Sequence, residues 1–159
     1  MAGTTTSRRR FLAFGVLSAP VLMWPGLLHA TAAPRRLAFH HTHTGEVLDV
    51  EYSEAGRYIP DALLTINHLL RDFRSGQVHP IDPALLDVLH TLRQQVGGRA
   101  PFEIISAFRS PETNAMLAGH SSGVATKSLH LSGRAIDIRL PGVATAELRD
   151  AGMRLRAGG

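Results

Sequence analysis

Cysteine is absent from all 159 residues, which excludes a disulfide framework, a thiolate metal site and a cysteine nucleophile. Any metal ion must therefore be held by nitrogen and oxygen. A strong charge of one sign is missing too. The formal charge is +4, from 17 basic and 13 acidic residues, but Arg8, Arg9 and Arg10 lie in a leading segment expected to be removed. Subtracting those three leaves 14 basic residues against 13 acidic ones, a charge of +1. This excludes the concentrated basic face that nucleic acid binding needs. There is no internal repeat and no low-complexity linker. What is present, 44% hydrophobic and 19% charged residues in a chain of this length, suits one globular domain and is not polar enough for disorder.

The first segment reads as an export signal. Ser7-Arg8-Arg9-Arg10-Phe11-Leu12 precedes residues 11–28, which carry no charge, and Ala30-Thr31-Ala32 has the small-x-small form of a cleavage site. The pattern predicts a twin-arginine signal peptide over residues 1–32 and a mature part over 33–159. A single spanning helix or an uncleaved anchor competes with this reading. The apolar run is short for a span and is broken by Gly15, Pro20, Pro25 and Gly26, which favours cleavage. The mature protein is then expected in the periplasm, meeting the membrane only through the signal segment.

Residues 37–52 form two extended runs around Thr44-Gly45 and predict a β-hairpin. After Pro60-Asp61, Leu63, Leu64, Ile66, Leu69, Leu70 and Phe73 recur at helical spacing up to Gly76. Asp82 as N-cap and Pro83 in the first turn announce a second helix, with Leu85, Leu86, Leu89, Leu92 and Val96 inward and Gly97-Gly98 as its stop. Phe102 to Phe108 reads as a mostly buried strand, and a short helix from Ser110-Pro111 to Gly119 follows. Residues 119–133 look like a loop. In Ala135 to Leu140, Ile136, Ile138 and Leu140 share one face and Asp137 points the other way. A last helix is expected from Thr145 to Ala157. The order predicts an α+β domain, helices packed to one side of a small, largely antiparallel sheet.

The stretch with chemical content is Ser128-Leu129-His130-Leu131-Ser132-Gly133-Arg134-Ala135-Ile136-Asp137. Imidazole and carboxylate are both good zinc donors, and Gly133 lets the chain bend so that His130 and Asp137 can reach one point. A catalytic zinc site takes three protein ligands, so this pair needs a third. On spacing alone, a solvated Asp on an open strand face and a solvated loop His account for the pattern as well. His40, His41 and His43 form the densest histidine cluster, and an exposed polar hairpin explains it better than a metal does.

Resemblance separates these alternatives. SLHLSGRAIDI, with SAFRSPETN upstream, resembles the Ser-x-His-x6-Asp signature of the D-alanyl-D-alanine metallopeptidases, most closely their murein endopeptidase K-like branch. The group also includes the Hedgehog signalling domain. The likeness spans the mature region, including Thr44-Gly45-Glu46 and the Gly123-Val124-Ala125-x-Lys127 approach to the histidine. It implies a Hedgehog/DD-peptidase-like fold, a Zn2+ cofactor held by His130 and Asp137, and peptidoglycan cross-links as substrate. It also implies that Ser128 supports the histidine or contacts substrate, and that Arg109 polarises the scissile carbonyl or holds a substrate carboxylate. A guanidinium suits that task because it is always charged and presents a planar fork of donors. An ordinary surface salt bridge is the plainer account of Arg109.

In the family, the third ligand is a histidine on a strand after the last helix, with a general base nearby. This chain reaches Gly158-Gly159 where that strand is expected to begin, so the third ligand and the base are expected beyond Gly159. Two functions follow as expectations: a zinc-dependent murein endopeptidase, or a catalytically inactive peptidoglycan-binding or scaffold protein with the same fold.

Overall fold

In the computed structural model, which describes Met1, Gly3, residues 32–120 and residues 123–157, the predicted hairpin is the first element. The strand β1 (Arg35–His41) pairs antiparallel with β2 (Val47–Glu54), and β2 pairs with the short β3 (Arg57–Tyr58). Helix α1 (Pro60–Leu69) and helix α2 (Pro83–Val96) come next, then β4 (Phe102–Ser106) and helix α3 (Pro111–His120). A single 3-10 turn at Leu129–Ser132, β5 (Asp137–Arg139) and helix α4 (Thr145–Leu155) complete the order. All belong to the unit Thr31–Gly159. The expected signal segment, residues 1–32, falls almost wholly outside the described residues. Among the described residues no helix is long and apolar enough to cross a membrane.

The sheet has five strands in the order β3-β2-β1-β4-β5. Only the central β1–β4 pairing is parallel, Phe39 opposite Phe102 and His41 opposite Ile104, so the α+β expectation holds. Phe39, Phe102 and Ile104 are wholly buried, each contributing roughly 1.5–3 kcal/mol by leaving water. Helix α2 begins as its caps predict. The Asp82 carboxylate accepts the Ala84 N–H at 3.0 Å, Pro83 opens the first turn, and Gly97 closes the helix at φ 68°. Leu86, Leu89 and Leu92 are its buried face. Asp87 fixes α2 to three strands, accepting the hydroxyls of Tyr52 at 2.9 Å and Tyr58 at 2.8 Å and pairing with Arg35 at 2.7 Å.

Three boundaries differ from expectation. Helix α1 ends at Leu69 instead of running to Gly76, and Leu64 is 66% exposed. The Leu70 carbonyl accepts the Phe108 N–H at 3.1 Å, a tertiary bond that a continuing helix would have claimed for itself. The fourth strand stops at Ser106, two residues early, because Ala107 and Phe108 bond to groups outside the sheet. The loop over 119–133 contains the 3-10 turn, and α3 reaches His120.

Candidate active site

Two strand ends and one tight turn build the site. Where β4 meets β5 the ladder carries an irregularity between Ile104 and Ser106, after which Asp137 stands opposite Ser106. Bulges of this kind re-aim side chains at sheet edges. Asp137 projects with its side chain 52% exposed.

His130 arrives from the 3-10 turn. Ser128 caps that turn, its hydroxyl accepting the His130 N–H at 3.4 Å, and Gly133 ends it at φ 64°. A side chain at Gly133 is ruled out twice: the backbone is left-handed, and a Cβ would stand 2.3 Å from the Pro80 carbonyl oxygen. The Gly133 carbonyl accepts the Asp82 N–H at 3.0 Å, which ties the bend to the start of α2.

The imidazole is oriented by one short bond. His130 Nδ1 lies 2.6 Å from the Ala107 carbonyl oxygen. A carbonyl can only accept, so Nδ1 carries a proton, and in the neutral ring Nε2 keeps its lone pair. Nε2 faces Asp137 Oδ2 at 3.5 Å, with the His130 side chain 12% exposed. Two atoms that both present lone pairs then confront one another at a separation too long for a good hydrogen bond. Donors bound to one tetrahedral zinc at ordinary lengths stand about 3.4 Å apart. As a pair, the two residues fit such an ion. Among the described residues no third His, Cys, Asp or Glu joins them.

Arg109 follows β4. Its backbone N–H donates to the His130 carbonyl at 3.1 Å, and its guanidinium reaches the Asn114 side-chain oxygen at 3.4 Å and the Ser106 hydroxyl at 3.5 Å. Both bonds are long. Its Nε is buried without an acceptor, and no carboxylate pairs with it among the described residues. Among the described residues Arg109 thus forms no salt bridge, and its donor fork has only those two long bonds.

The structure thus gathers His130, Asp137, Arg109 and Ser128 around one corner of the sheet. The hairpin histidines stay apart from it, and the expectation that they form an exposed polar hairpin needs correcting for His41, which is 1% exposed. Its ring stands edge-on to Phe73, and His43 stacks on the same ring at 4.1 Å. Sequence reasoning missed Asn114, the Ala107 carbonyl and the buried Asp72. Asn114 lay inside the quoted SPETN segment; a backbone carbonyl leaves no trace in a sequence.

The α+β domain thus sets an imidazole nitrogen and a carboxylate 3.5 Å apart at one sheet edge, and comparison with known proteins supplies the class, the peptidoglycan endopeptidases. Residues 29–159 match the family model described as Peptidoglycan L,D-endopeptidase MepK, and the chain belongs to that family. It is 39% identical over 156 residues to the Peptidoglycan L,D-endopeptidase MepK of Escherichia coli K12, covering 96% of this chain and 86% of the relative. The same figures hold for the protein of that name from Shigella flexneri. The Probable peptidoglycan L,D-endopeptidase MepK of Haemophilus influenzae is 36% identical over 157 residues, covering 96% and 84%. No solved structure gives a significant match.

Proposed function

We propose that this chain is a zinc-dependent endopeptidase that hydrolyses L,D peptide bonds in the cross-links of peptidoglycan, in the periplasm after export by the twin-arginine route. The observation that carries the reading is the approach of His130 Nε2 and Asp137 Oδ2 to 3.5 Å with the imidazole proton held on the far nitrogen. Family membership supplies the substrate class.

In this reading His130 and Asp137 are two of the metal ligands. A bound zinc supplies Lewis acidity, bringing the pKa of a water toward ~7 and drawing charge onto a carbonyl oxygen. The remaining work falls to the protein. The Ala107 carbonyl holds His130 in the tautomer that can ligate. Arg109 stabilises negative charge on the scissile carbonyl oxygen or grips a substrate carboxylate, its fork being free of competing anions. Ser128 keeps the His130 backbone in place and lies close enough to the histidine to meet the bound peptide.

Purified protein incubated with murein sacculi is expected to release fragments with new peptide termini, to carry zinc by elemental analysis, and to stop in the presence of a chelator. Asp137→Ala is expected to lose both metal and cleavage. A folded, metal-free protein that sediments with murein and yields no new termini would overturn the enzyme and leave a wall-binding protein.

A further inference from the structure

The segment that aligns the site, residues 107–110, is tied down at every step. The Ala107 carbonyl takes the His130 ring, the Phe108 N–H goes to the Leu70 carbonyl, and the Arg109 N–H goes to the His130 carbonyl. The fourth tie differs in kind. The Ser110 N–H donates to Asp72 Oδ2 at 3.0 Å, and Asp72 Oδ1 accepts the Arg74 N–H, also at 3.0 Å. Among the described residues Asp72 is therefore the one side chain that accepts a backbone N–H of this segment. It is 1% exposed and the only carboxylate in the buried set among the described residues.

Burying a carboxylate without a cation is costly unless its lone pairs are filled. They are filled here. Burial alone would raise the Asp72 pKa, yet bonds from the Thr113 hydroxyl, the Ser110 and Arg74 N–H groups and the Ser110 hydroxyl outweigh that effect and hold it well below the usual carboxylate range. The charge thus persists in the folded protein. Asp72 also closes its own turn, the Gly76 N–H reaching the Asp72 carbonyl at 2.7 Å. A helix cap or a turn closure could be made by an exposed residue. What the burial adds is stiffness at Ser110, one residue from Arg109 and three from the Ala107 carbonyl that orients His130.

We propose that Asp72 is a positioning residue for the site, an inference that rests on the roles given above to His130 and Arg109. By fixing Ser110 it sets the angle at which Ala107 presents its carbonyl to the imidazole and Arg109 presents its guanidinium to the substrate.

Asp72→Asn is the direct test. The amide keeps the shape but replaces one accepting oxygen with a donor, which confronts the N–H of Ser110 or Arg74. A misplacement of ~1 Å at a reacting centre costs on the order of 100-fold, and a loss of that order is expected in kcat per folded molecule, with KM nearly unchanged. In the Arg109→Ala background the same substitution is expected to cost several-fold less than in the wild type, since the part of its effect that runs through Arg109 is already lost. A second readout needs no activity. The His130 Nδ1 proton, held at 2.6 Å, is expected to exchange with solvent at least ~10-fold faster in Asp72→Asn by NMR, because loosening its acceptor opens the bond. Should the amide variant not fold, Asp72→Ser, which keeps one accepting oxygen, reads the same quantities. Wild-type kcat per folded molecule, losses that multiply in the double variant, or an unchanged proton exchange rate would each overturn the inference. A wild type that releases no murein fragments sinks the proposed function instead, and the imidazole proton then decides the role of Asp72 alone.

Discussion

His41 and His130 are both tied through Nδ1, and the two bonds have opposite sense. At His41, Nδ1 accepts the N–H groups of His43 and Thr44, both at 3.3 Å, so the proton sits on Nε2 and neither nitrogen has a lone pair to spare. At His130, Nδ1 donates to a carbonyl and Nε2 is left free, facing Asp137. The hairpin is richer in histidine, yet its rings serve to close a turn and pack on Phe73. A ligating histidine is recognised by what its other nitrogen does. Local density of the residue type says little.

The contrast breaks most visibly by truncation. His130→Ala and Asp137→Ala are each expected to reduce murein cleavage by roughly 10³-fold or more, whereas His43→Ala is expected to stay within about threefold of wild type. Chromatography of released muropeptides measures both, and a large loss in His43→Ala would move the site to the hairpin. Next in size, Arg109→Ala is expected to lower kcat by ~10²–10³ with the thermal midpoint unchanged; an equal loss in stability would make it a structural residue. Gly133→Ala should cost more than about 1 kcal/mol in urea unfolding, through its left-handed φ of 64° and the contact with Pro80. Activity is expected to fall with it, since the bend sets the His130–Asp137 approach.

The smallest effect is electrostatic. Burial lowers the His41 pKa below the usual 6.5, with His43 adding repulsion. Below that pH the unfolded chain binds more protons than the folded one, so this part of the stability is complete above pH 6.5 and is lost as the pH falls. His90, lowered by burial and by Arg35, has the same sign. His41→Gln is therefore expected to flatten, without abolishing, the decline in unfolding free energy between about pH 7 and 5. An unaltered slope would show that the ring is not what senses the acid.

Much of this was legible from residues alone. Helix α2 was announced at both ends by Asp82-Pro83 and Gly97, the hairpin by Thr44-Gly45, and the α+β class by the order of elements. Spacing alone left the His130–Asp137 pair open, and it was the resemblance that singled out the two residues, which the structure brings to 3.5 Å. The rest depended on distant partners. Nothing in the sequence tells that Leu70 gives its carbonyl to Phe108, so the end of α1 was placed too late. Asp72, in a run that looked like the tail of a helix, carried no sign that it would be buried against Ser110. The value of Gly133 was read as freedom to bend, while its other reason, the Pro80 oxygen 2.3 Å from where a Cβ would stand, lies over fifty residues away.

Asp82 joins two jobs. Its side chain starts α2, and its backbone N–H holds the carbonyl of Gly133, the glycine between His130 and Asp137. Fraying of that first turn is therefore coupled to loosening of the bend at Gly133, since it breaks the bond that joins them. Inactivation by heat should then coincide with melting of the whole domain, with no earlier phase in which the enzyme is folded but silent.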